Sequence, residues 1–299
     1  MPDLKKWITA RAPAGRIAYV NGRYMAHGQA GVHVEDRGLQ LGDSIYEVTN
    51  VLAGKAVDEE GHLDRLERSL KEIGMAMPMG RAALKLVMAE MIARNRIKNG
   101  ILYLQVTRGA ARRDHVPPGG GLRPSLIMTM RAHDMAALQS RMEKGVAVSI
   151  EPDQRWARRD IKTVQLLPNL LAKQAAKAKG AFEAWLVDED GFVTEGAATN
   201  AWIVDAEGAV VTRDLSRAIL PGVTRRIILE AISQAGMKVV ERKFTVKEAQ
   251  EAQEAFLSSA TGAAVPVVAI DGIAIGGGAP GPLTRRIHEL YARKAGIKS

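Results

Sequence analysis

The sequence contains no cysteine, and this single absence excludes several kinds of chemistry. Disulfides, thiolate zinc sites, iron–sulfur clusters and cysteine nucleophiles all require a sulfur atom that the chain does not supply. A chain without disulfides is compatible with a reducing compartment, and we expect a cytoplasmic protein.

Aromatic residues and long apolar runs are also scarce. Phenylalanine, tryptophan and tyrosine make up 4% of the chain, and they form no pattern of the kind on which nucleic-acid bases stack. No apolar stretch approaches the length that spans a bilayer. The basic N-terminus has no apolar run behind it, so we expect neither a signal peptide nor a membrane anchor.

The motifs of several common catalytic classes are missing as well. The six histidines are scattered, and no two have the i, i+4 spacing of a helical zinc site, so we expect no metal. The chain has no Walker loop, no G-x-G-x-x-G behind a strand and no G-x-S-x-G elbow. Together these absences direct attention to lysine chemistry and to anion binding.

The charge balance is basic, with a formal net charge of +9. Such a balance can attract nucleic acid, membranes or anionic small molecules. Many of the bases alternate with acids, however, as in RLERSLKEIG and RRIHELYARKAG, which is typical of solvated helix faces. We expect no nucleic-acid or membrane partner, but arginines that can hold phosphate or carboxylate groups. A basic nucleic-acid-binding protein is the alternative from another functional class.

Turn signals and apolar patterns predict a mixture of strands and helices. Asn21-Gly22 accepts the positive φ angles of a tight hairpin turn. The elements do not follow a regular βαβ alternation, so we predict an α+β or mixed α/β fold rather than a doubly wound parallel sheet. Expected strands cover 17–20, 23–25, 44–52, 101–108, 125–130, 145–150, 239–242 and 255–259; expected helices include one introduced by Pro168, one at Pro221-Gly222 and a last one over 283–295.

The pattern breaks near Ala132–Met135. A chain of 299 residues is long enough for two ordinary domains. We therefore predict a smaller N-terminal α+β domain over residues 1–132, an interdomain linker over 133–137 and a larger cofactor-binding domain over 138–299.

Lys162 lies where an extended segment gives way to a helix, next to Ile161 and Val164. A lysine in such a semi-apolar place loses ammonium solvation, and its free amine becomes a nucleophile toward an aldehyde. Taken alone, a lysine is far more often a surface charge than a catalyst.

Two further segments have chemical meaning beside such a lysine. Glu195, in Thr194–Asn200, is a carboxylate between two expected strands, where it could meet a cationic heteroaromatic nitrogen; a solvated turn is the plainer interpretation. Leu220–Arg225 opens an amphipathic helix whose free N–H groups, with the Thr224 hydroxyl, suit a phosphate; an ordinary proline–glycine helix entry is the alternative.

The order of these segments carries more information than any one of them. Lys162, Thr194-Glu195-Gly196, Leu220–Arg225 and Ser259–Gly262, preceded by Glu35–Gly38, Gly42–Glu47 and His62–Leu66, resemble the class IV aminotransferases. These are pyridoxal-phosphate enzymes of two-domain fold type IV, and the resemblance covers nearly the whole chain.

The resemblance implies a role for each matching residue. Lys162 would hold pyridoxal 5'-phosphate as a Schiff base and then move the proton between the substrate Cα and the cofactor. Glu195 would pair with the pyridine nitrogen, and Leu220 would pack on a face of the ring. The phosphate would be held by Arg65, Val223, Thr224 and Thr261; for Arg65, an i, i+4 charge pair on its helix is the alternative.

A loop then distinguishes between members of the family. In Val106–His115, Arg113 and His115 resemble the pair with which D-amino acid aminotransferases bind the substrate α-carboxylate, reaching into the partner subunit of a homodimer. Tyr46 would donate a further hydrogen bond. A guanidinium fork suits a carboxylate, although a solvated basic loop is the alternative.

The expected reaction is therefore ping-pong transfer of an amino group from a D-amino acid such as D-alanine to 2-oxoglutarate or pyruvate. A branched-chain L-amino acid aminotransferase or an aminodeoxychorismate lyase would share the cofactor residues. Two positions depart from the D-specific pattern: Ala198 replaces a serine, and Leu41 replaces an aromatic residue before Gly42-Asp43.

Overall fold

The computed structural model describes residues 15–296. Most of the N-terminal segment for which we expected neither a signal peptide nor an anchor lies outside these residues. The chain divides into two compact units: one ends at His133 and also includes Lys162–Val164, and the other contains Asp134–Ile161 and the chain from Gln165 onward.

The first unit is built on a six-stranded antiparallel sheet. Its strand order is β2-β1-β6-β5-β3-β4. The strands are β1 Ile17–Val20, β2 Arg23–Ala26, β3 Ser44–Leu52, β4 Lys55–Ala56, β5 Gly100–Thr107 and β6 Ser125–Ala132, and the α-helices are α1 Arg37–Leu41, α2 Glu59–Glu72 and α3 Arg81–Asn95, with a 3-10 turn at His27–Gln29.

The two faces of this sheet differ because strand side chains alternate in direction. On β5, Leu102, Leu104 and Val106 are buried. On the opposite face of the same strand, Tyr103 and Gln105 stay half-buried. Leucines of α2 and apolar residues of α3 are fully buried beside the sheet, each contributing about 1.5–3 kcal/mol; they are Leu63, Leu66, Leu70, Leu84, Met88 and Met91.

The second unit contains a nine-stranded mixed sheet. The order is β12-β11-β10-β13-β14-β7-β8-β9, with β15 beside β14. The strands are β7 Val146–Pro152, β8 Glu183–Val187, β9 Val193–Gly196, β10 Asn200–Val204, β11 Val210–Thr212, β12 Val239–Glu241, β13 Glu254–Ser259, β14 Ala263–Ile270 and β15 Ile273–Ala274; the helices are α4 Met135–Lys144, α5 Leu167–Ala178, α6 Val223–Gln234, α7 Val246–Gln250 and α8 Pro282–Lys294.

Apolar groups cover both faces of the central part of this sheet. All five residues of β10 are buried. Trp202 belongs to an apolar cluster with residues of α6 and α8, whereas its neighbour Ile203 belongs to a different cluster with Trp185 and Phe244. A sheet covered on both faces explains why its strands are continuous apolar runs rather than alternating ones.

Helix α4 was not expected. It occupies residues 135–144, so residues 135–137 of the expected linker form its first turn. The Asp134 side chain accepts a hydrogen bond from the Ala137 N–H at 2.9 Å and caps the helix. The domain boundaries themselves stay a prediction. Among the described residues, no helix combines the length and apolarity needed to cross a bilayer.

Candidate active site

The segment around Lys162 is held against β3. The Lys162 carbonyl accepts a hydrogen bond from the Tyr46 N–H at 3.0 Å, and the Val164 N–H donates to the Ser44 carbonyl at 3.3 Å. Thr163 and Ile45 form an antiparallel bridge between these contacts. The lysine backbone is therefore extended and fixed at both ends.

The Lys162 amine lies over an aromatic ring. Its Nζ is 4.3 Å from the centroid of the Tyr46 ring, which itself stacks on Tyr103 at 5.8 Å. The ring face contacts the amine without forming an ion pair with it. Within residues 15–296, no carboxylate forms an ion pair with Lys162. A half-buried amine without a carboxylate partner suits covalent capture of an aldehyde.

Glu195 lies at the end of β9 and is 3% exposed. Its carboxylate accepts hydrogen bonds from Arg155 Nη1 at 2.5 Å, from Asn200 Nδ2 at 2.9 Å and from the Leu220 N–H at 3.1 Å. Asn200 also donates to the Leu220 carbonyl at 3.1 Å. Three parts of the chain thus orient one buried carboxylate.

Electrostatics leave Glu195 more basic than an ordinary glutamate. Burial raises the pKa of this carboxyl, and the Arg155 guanidinium and the Leu220 N–H lower it less than burial raises it. Arg155 is shared, because its Nε and Nη2 bind Asp153 at 2.9 and 2.8 Å. A buried carboxylate that favours a proton is suited to pair with the N–H of a protonated pyridine ring.

Helix α6 begins with N–H groups that no side chain caps. Gly222 is the N-cap and has no side-chain capping hydrogen bond. The buried Thr224 Oγ1 is without a hydrogen-bond partner. A Cβ at Gly222 would lie 2.1 Å from Asn200 Oδ1, so only glycine fits beside the Glu195 network. The free N–H groups and the unpartnered hydroxyl fit the phosphate of pyridoxal 5'-phosphate.

Thr261 lies in the turn between β13 and β14. Its hydroxyl is 3.3 Å from the Ser259 hydroxyl. Two hydroxyls in one tight turn can both donate to a phosphate oxygen. The suggested phosphate role of Thr261 stays a prediction.

Arg65 lies on α2, and its guanidinium is directed at Glu47 of β3. Its Nε and Nη2 bind the two Glu47 oxygens at 2.8 and 2.7 Å, and His62 Nδ1 is 2.8 Å from the same carboxylate. Burial alone would raise the pKa of Glu47, but Arg65 and His62 lower it to about 2. Whether Arg65 also holds the phosphate stays a prediction.

Arg113 and His115 lie in the long connection between β5 and β6, and both are exposed. Within the described part of the chain, neither side chain forms an ion pair. Both are therefore available to a carboxylate from outside. Of the two departures noted in the sequence, Ala198 is exposed and Leu41 ends α1.

Five residues of these networks were not predicted: Glu47, His62, Asp153, Arg155 and Asn200. Glu47 and Asn200 stand inside quoted motifs, and an acid within the apolar β3 pattern could have been noticed. No local pattern marks Arg155, because its partners lie 2 and 40 residues away.

Comparison with known proteins gives the family of this chain. Residues 44–270 match the family model for amino-transferase class IV. The chain is similar to the D-alanine aminotransferase of Bacillus licheniformis, with 38% identity over 267 residues, 89% of this chain and 93% of that protein. The similarity to the D-alanine aminotransferase of Listeria innocua is 35% over 276 residues, 92% of this chain and 94% of that protein.

The fold is also similar to that of a solved structure, the branched-chain amino acid aminotransferase of Escherichia coli. The TM-score is 0.86 at 23% identity, and the match covers 95% of this chain and 96% of that chain. A further branched-chain amino acid aminotransferase, solved with pyridoxamine 5'-phosphate, has a TM-score of 0.85 at 23% identity and covers 94% of this chain.

The chain belongs to the class IV aminotransferase family. It is a pyridoxal-phosphate-dependent aminotransferase of fold type IV, which confirms the expected family, fold class and cofactor.

Proposed function

We propose that this enzyme transfers the amino group of D-amino acids, D-alanine among them, to 2-oxo acids such as 2-oxoglutarate or pyruvate. Relatives at 38% and 35% identity that match nearly the whole chain carry the name D-alanine aminotransferase. The observation that carries the assignment is the pair Arg113 and His115, exposed directly after the Val106–Gly109 strand end and free of acidic partners among the described residues.

Pyridoxal 5'-phosphate, when bound, supplies a positively charged ring that withdraws electrons from the substrate Cα. Lys162 would hold its aldehyde, and Lys162 Nζ would take the proton from the substrate Cα. Glu195 would keep the ring nitrogen protonated, and Leu220 would pack on the ring. Val223 and Thr224 at the start of α6 would hold the phosphate.

The remaining phosphate and substrate contacts are proposed for the residues that the family resemblance suggests. Arg65 and Thr261 would complete the phosphate site. Arg113 and His115 would bind the substrate carboxylate, with Tyr46 as a further donor. The stereochemistry follows from where the carboxylate is held, because its position decides which enantiomer directs its single Cα–H bond at Lys162.

We also propose that the enzyme acts as a homodimer in the cytoplasm. Arg113 and His115 lie on an exposed loop, as a pair that completes the site of a neighbouring subunit must. The lack of cysteine is compatible with a reducing compartment. Light scattering of the purified protein tests the dimer, since a monomeric mass with full activity would contradict it.

A branched-chain L-amino acid aminotransferase and an aminodeoxychorismate lyase are the alternatives within the family. The solved branched-chain enzymes support the first of these by fold alone, at 23% identity. Mixing the purified yellow enzyme with D-alanine or with L-leucine, in separate half-reactions, separates them. We expect D-alanine to bleach the cofactor absorbance; bleaching by L-leucine alone would reject the D-amino acid assignment.

The role of Lys162 has its own test. Lys162→Ala should abolish turnover, with a loss of about 10⁴-fold or more, because the covalent and proton-transfer roles share one amine. Borohydride reduction followed by mass spectrometry should attach the cofactor to the peptide containing Lys162 in the natural enzyme only.

A further inference from the structure

The sequence motif Glu35–Gly38 is joined to the strand end Val106–Gly109. The Arg37 N–H donates to the Gly109 carbonyl at 2.9 Å, and the Ala111 N–H donates to the Glu35 carbonyl at 3.2 Å. The buried Asp36 carboxylate accepts a hydrogen bond from the Thr107 hydroxyl at 2.8 Å. These contacts place the two motifs beside each other at the start of the loop that follows β5.

The Arg37 side chain also contacts the loop that follows Gly109. It is 4% exposed, and its Nη1 donates to the Asp114 carbonyl at 2.6 Å while Nη2 donates to the His115 carbonyl at 3.1 Å. Its Nε binds Asp43 Oδ2 at 2.9 Å. A guanidinium is a rigid planar fork, so these bonds fix two successive peptide groups relative to Asp43.

The two peptide groups lie in the segment that bears Arg113 and His115. The loop around them is otherwise exposed, and it contains Pro117-Pro118 and Gly119–Gly121. An exposed loop without regular structure samples many conformations, and restricting it costs entropy. The Arg37 fork reduces that freedom before any substrate arrives.

A second arginine provides a natural comparison. Arg108 Nε binds the same Asp43 oxygen at 2.7 Å, but its Nη2 donates to the Ile73 carbonyl at 2.7 Å and its Nη1 to the Gly74 carbonyl at 3.1 Å. Arg37 and Arg108 therefore share one carboxylate, and only Arg37 reaches the Asp114 and His115 carbonyls.

The base of the loop is also closely packed. A Cβ at Gly38 would lie 2.5 Å from Thr107 Cγ2. Gly109 has φ +105°, and a Cβ there would lie 2.3 Å from the Arg123 carbonyl oxygen. The start of the loop is thus placed by contacts that admit only glycine, and Arg37 extends that placement as far as His115.

We infer that Arg37 is a positioning residue for substrate recognition: its fork on the Asp114 and His115 carbonyls holds the Arg113 and His115 side chains ready for the substrate carboxylate. This inference rests on the proposed D-amino acid aminotransferase function. Arg37 touches neither substrate nor cofactor in this role and acts only through the loop.

The test uses kinetics of the purified holoenzyme with D-alanine and 2-oxoglutarate. Arg37→Gln should raise both KM values about tenfold or more and leave kcat within about threefold, because charged hydrogen bonds to the loop are lost while the chemistry at Lys162 is unchanged. Arg37→Lys keeps a cation beside Asp43 but loses the fork, so it should raise KM as well. The matched control, Arg108→Gln, should leave KM within about threefold.

A double-substitution cycle with Arg113→Ala decides whether Arg37 acts through the loop. Arg37→Gln should raise KM in the natural background and have little further effect when Arg113 is already alanine, because coupled residues are not additive. Equal increases in both backgrounds, or an unchanged KM in Arg37→Gln and Arg37→Lys, would overturn the inference.

The same cycle separates this inference from the proposed function. If Arg113→Ala leaves KM for D-alanine unchanged, the proposed carboxylate site is wrong whatever Arg37 does. If Arg113→Ala raises KM and neither Arg37 variant does, only the role of Arg37 is wrong.

Discussion

Each unit of the molecule contains a buried glutamate paired with an arginine, and the two pairs behave in opposite ways. In the first unit, Arg65 and His62 lower the pKa of Glu47 to about 2 against the effect of burial. In the second unit, burial raises the pKa of Glu195 although Arg155 is bound to it.

The difference lies in how each arginine is shared. Arg65 presents two nitrogens to the two oxygens of Glu47. Arg155 presents one nitrogen to Glu195 and two to Asp153, which also raises the pKa of Glu195 by its own negative charge. A carboxylate with a bidentate partner is neutralised within the protein, whereas Glu195 keeps a raised pKa, as its proposed pairing with a cationic ring nitrogen requires.

The largest expected effect comes from removing the charge of Glu195, the carboxylate whose pKa is raised. Glu195→Gln should lower kcat with D-alanine by about 10²–10⁴-fold, because a neutral amide does not stabilise the protonated ring. The fold should persist, since the Leu220 N–H can still donate to the amide oxygen. Steady-state kinetics measures the loss.

Glu183→Gln is the matched control for this substitution. Glu183 is also buried, burial raises its pKa, and it pairs with Lys173. Its replacement should leave kcat within about threefold. A similar loss in both variants would show that burial of charge, and not contact with the cofactor, determines the effect.

Glu47, the carboxylate whose pKa is lowered, should matter most for stability. Glu47→Gln leaves the Arg65 guanidinium buried without its carboxylate, which should lower the free energy of unfolding by about 3–5 kcal/mol. Chemical denaturation of the holoenzyme measures it. Glu60→Gln, at an exposed carboxylate that binds Arg81, should change stability little; equal losses would contradict the comparison.

Acid should weaken the Glu47 pair selectively. Because the pKa of Glu47 is lowered from 4.5 to about 2, its stabilisation is present above pH 4.5 and is lost as the pH falls toward 2. Between pH 5 and pH 3 the natural protein should lose about 2 kcal/mol more than Glu47→Gln does. Parallel pH dependences in the two proteins would contradict the lowered pKa.

The smallest expected effect comes from making the Glu195–Arg155 pair resemble the Glu47–Arg65 pair. Asp153→Asn frees Arg155 to bind Glu195 more fully and removes a negative charge, so the pKa of Glu195 should fall and kcat should decrease about tenfold. Asp160→Asn, at the partner of Arg158, is the control and should not change kcat. An increase in kcat for Asp153→Asn would reverse the explanation given for the second pair.

Much of the secondary structure could be predicted from the chain, whereas the covalent role of Lys162 stays a prediction. The Asn21-Gly22 turn, the strand over residues 44–52 and the helix entry at Pro221-Gly222 follow from local turn chemistry and apolar periodicity. Helix α4 could not be predicted from its apolar pattern, because none of its residues is buried. Its cap at Asp134 was the available signal.

The order of motifs along the sequence was by itself sufficient to determine the family and the cofactor, because the chemistry of a cofactor requires particular residue types in a particular order; the role of Lys162 stays a prediction. Only the tertiary structure decided which buried carboxylate has a lowered pKa and which has a raised one, and which arginine binds the Asp114 and His115 carbonyls. Those outcomes depend on hydrogen bonds between residues 18 to 78 positions apart, such as Arg65 with Glu47 and Arg37 with His115, and on the water excluded around them. No local pattern in a sequence records either quantity.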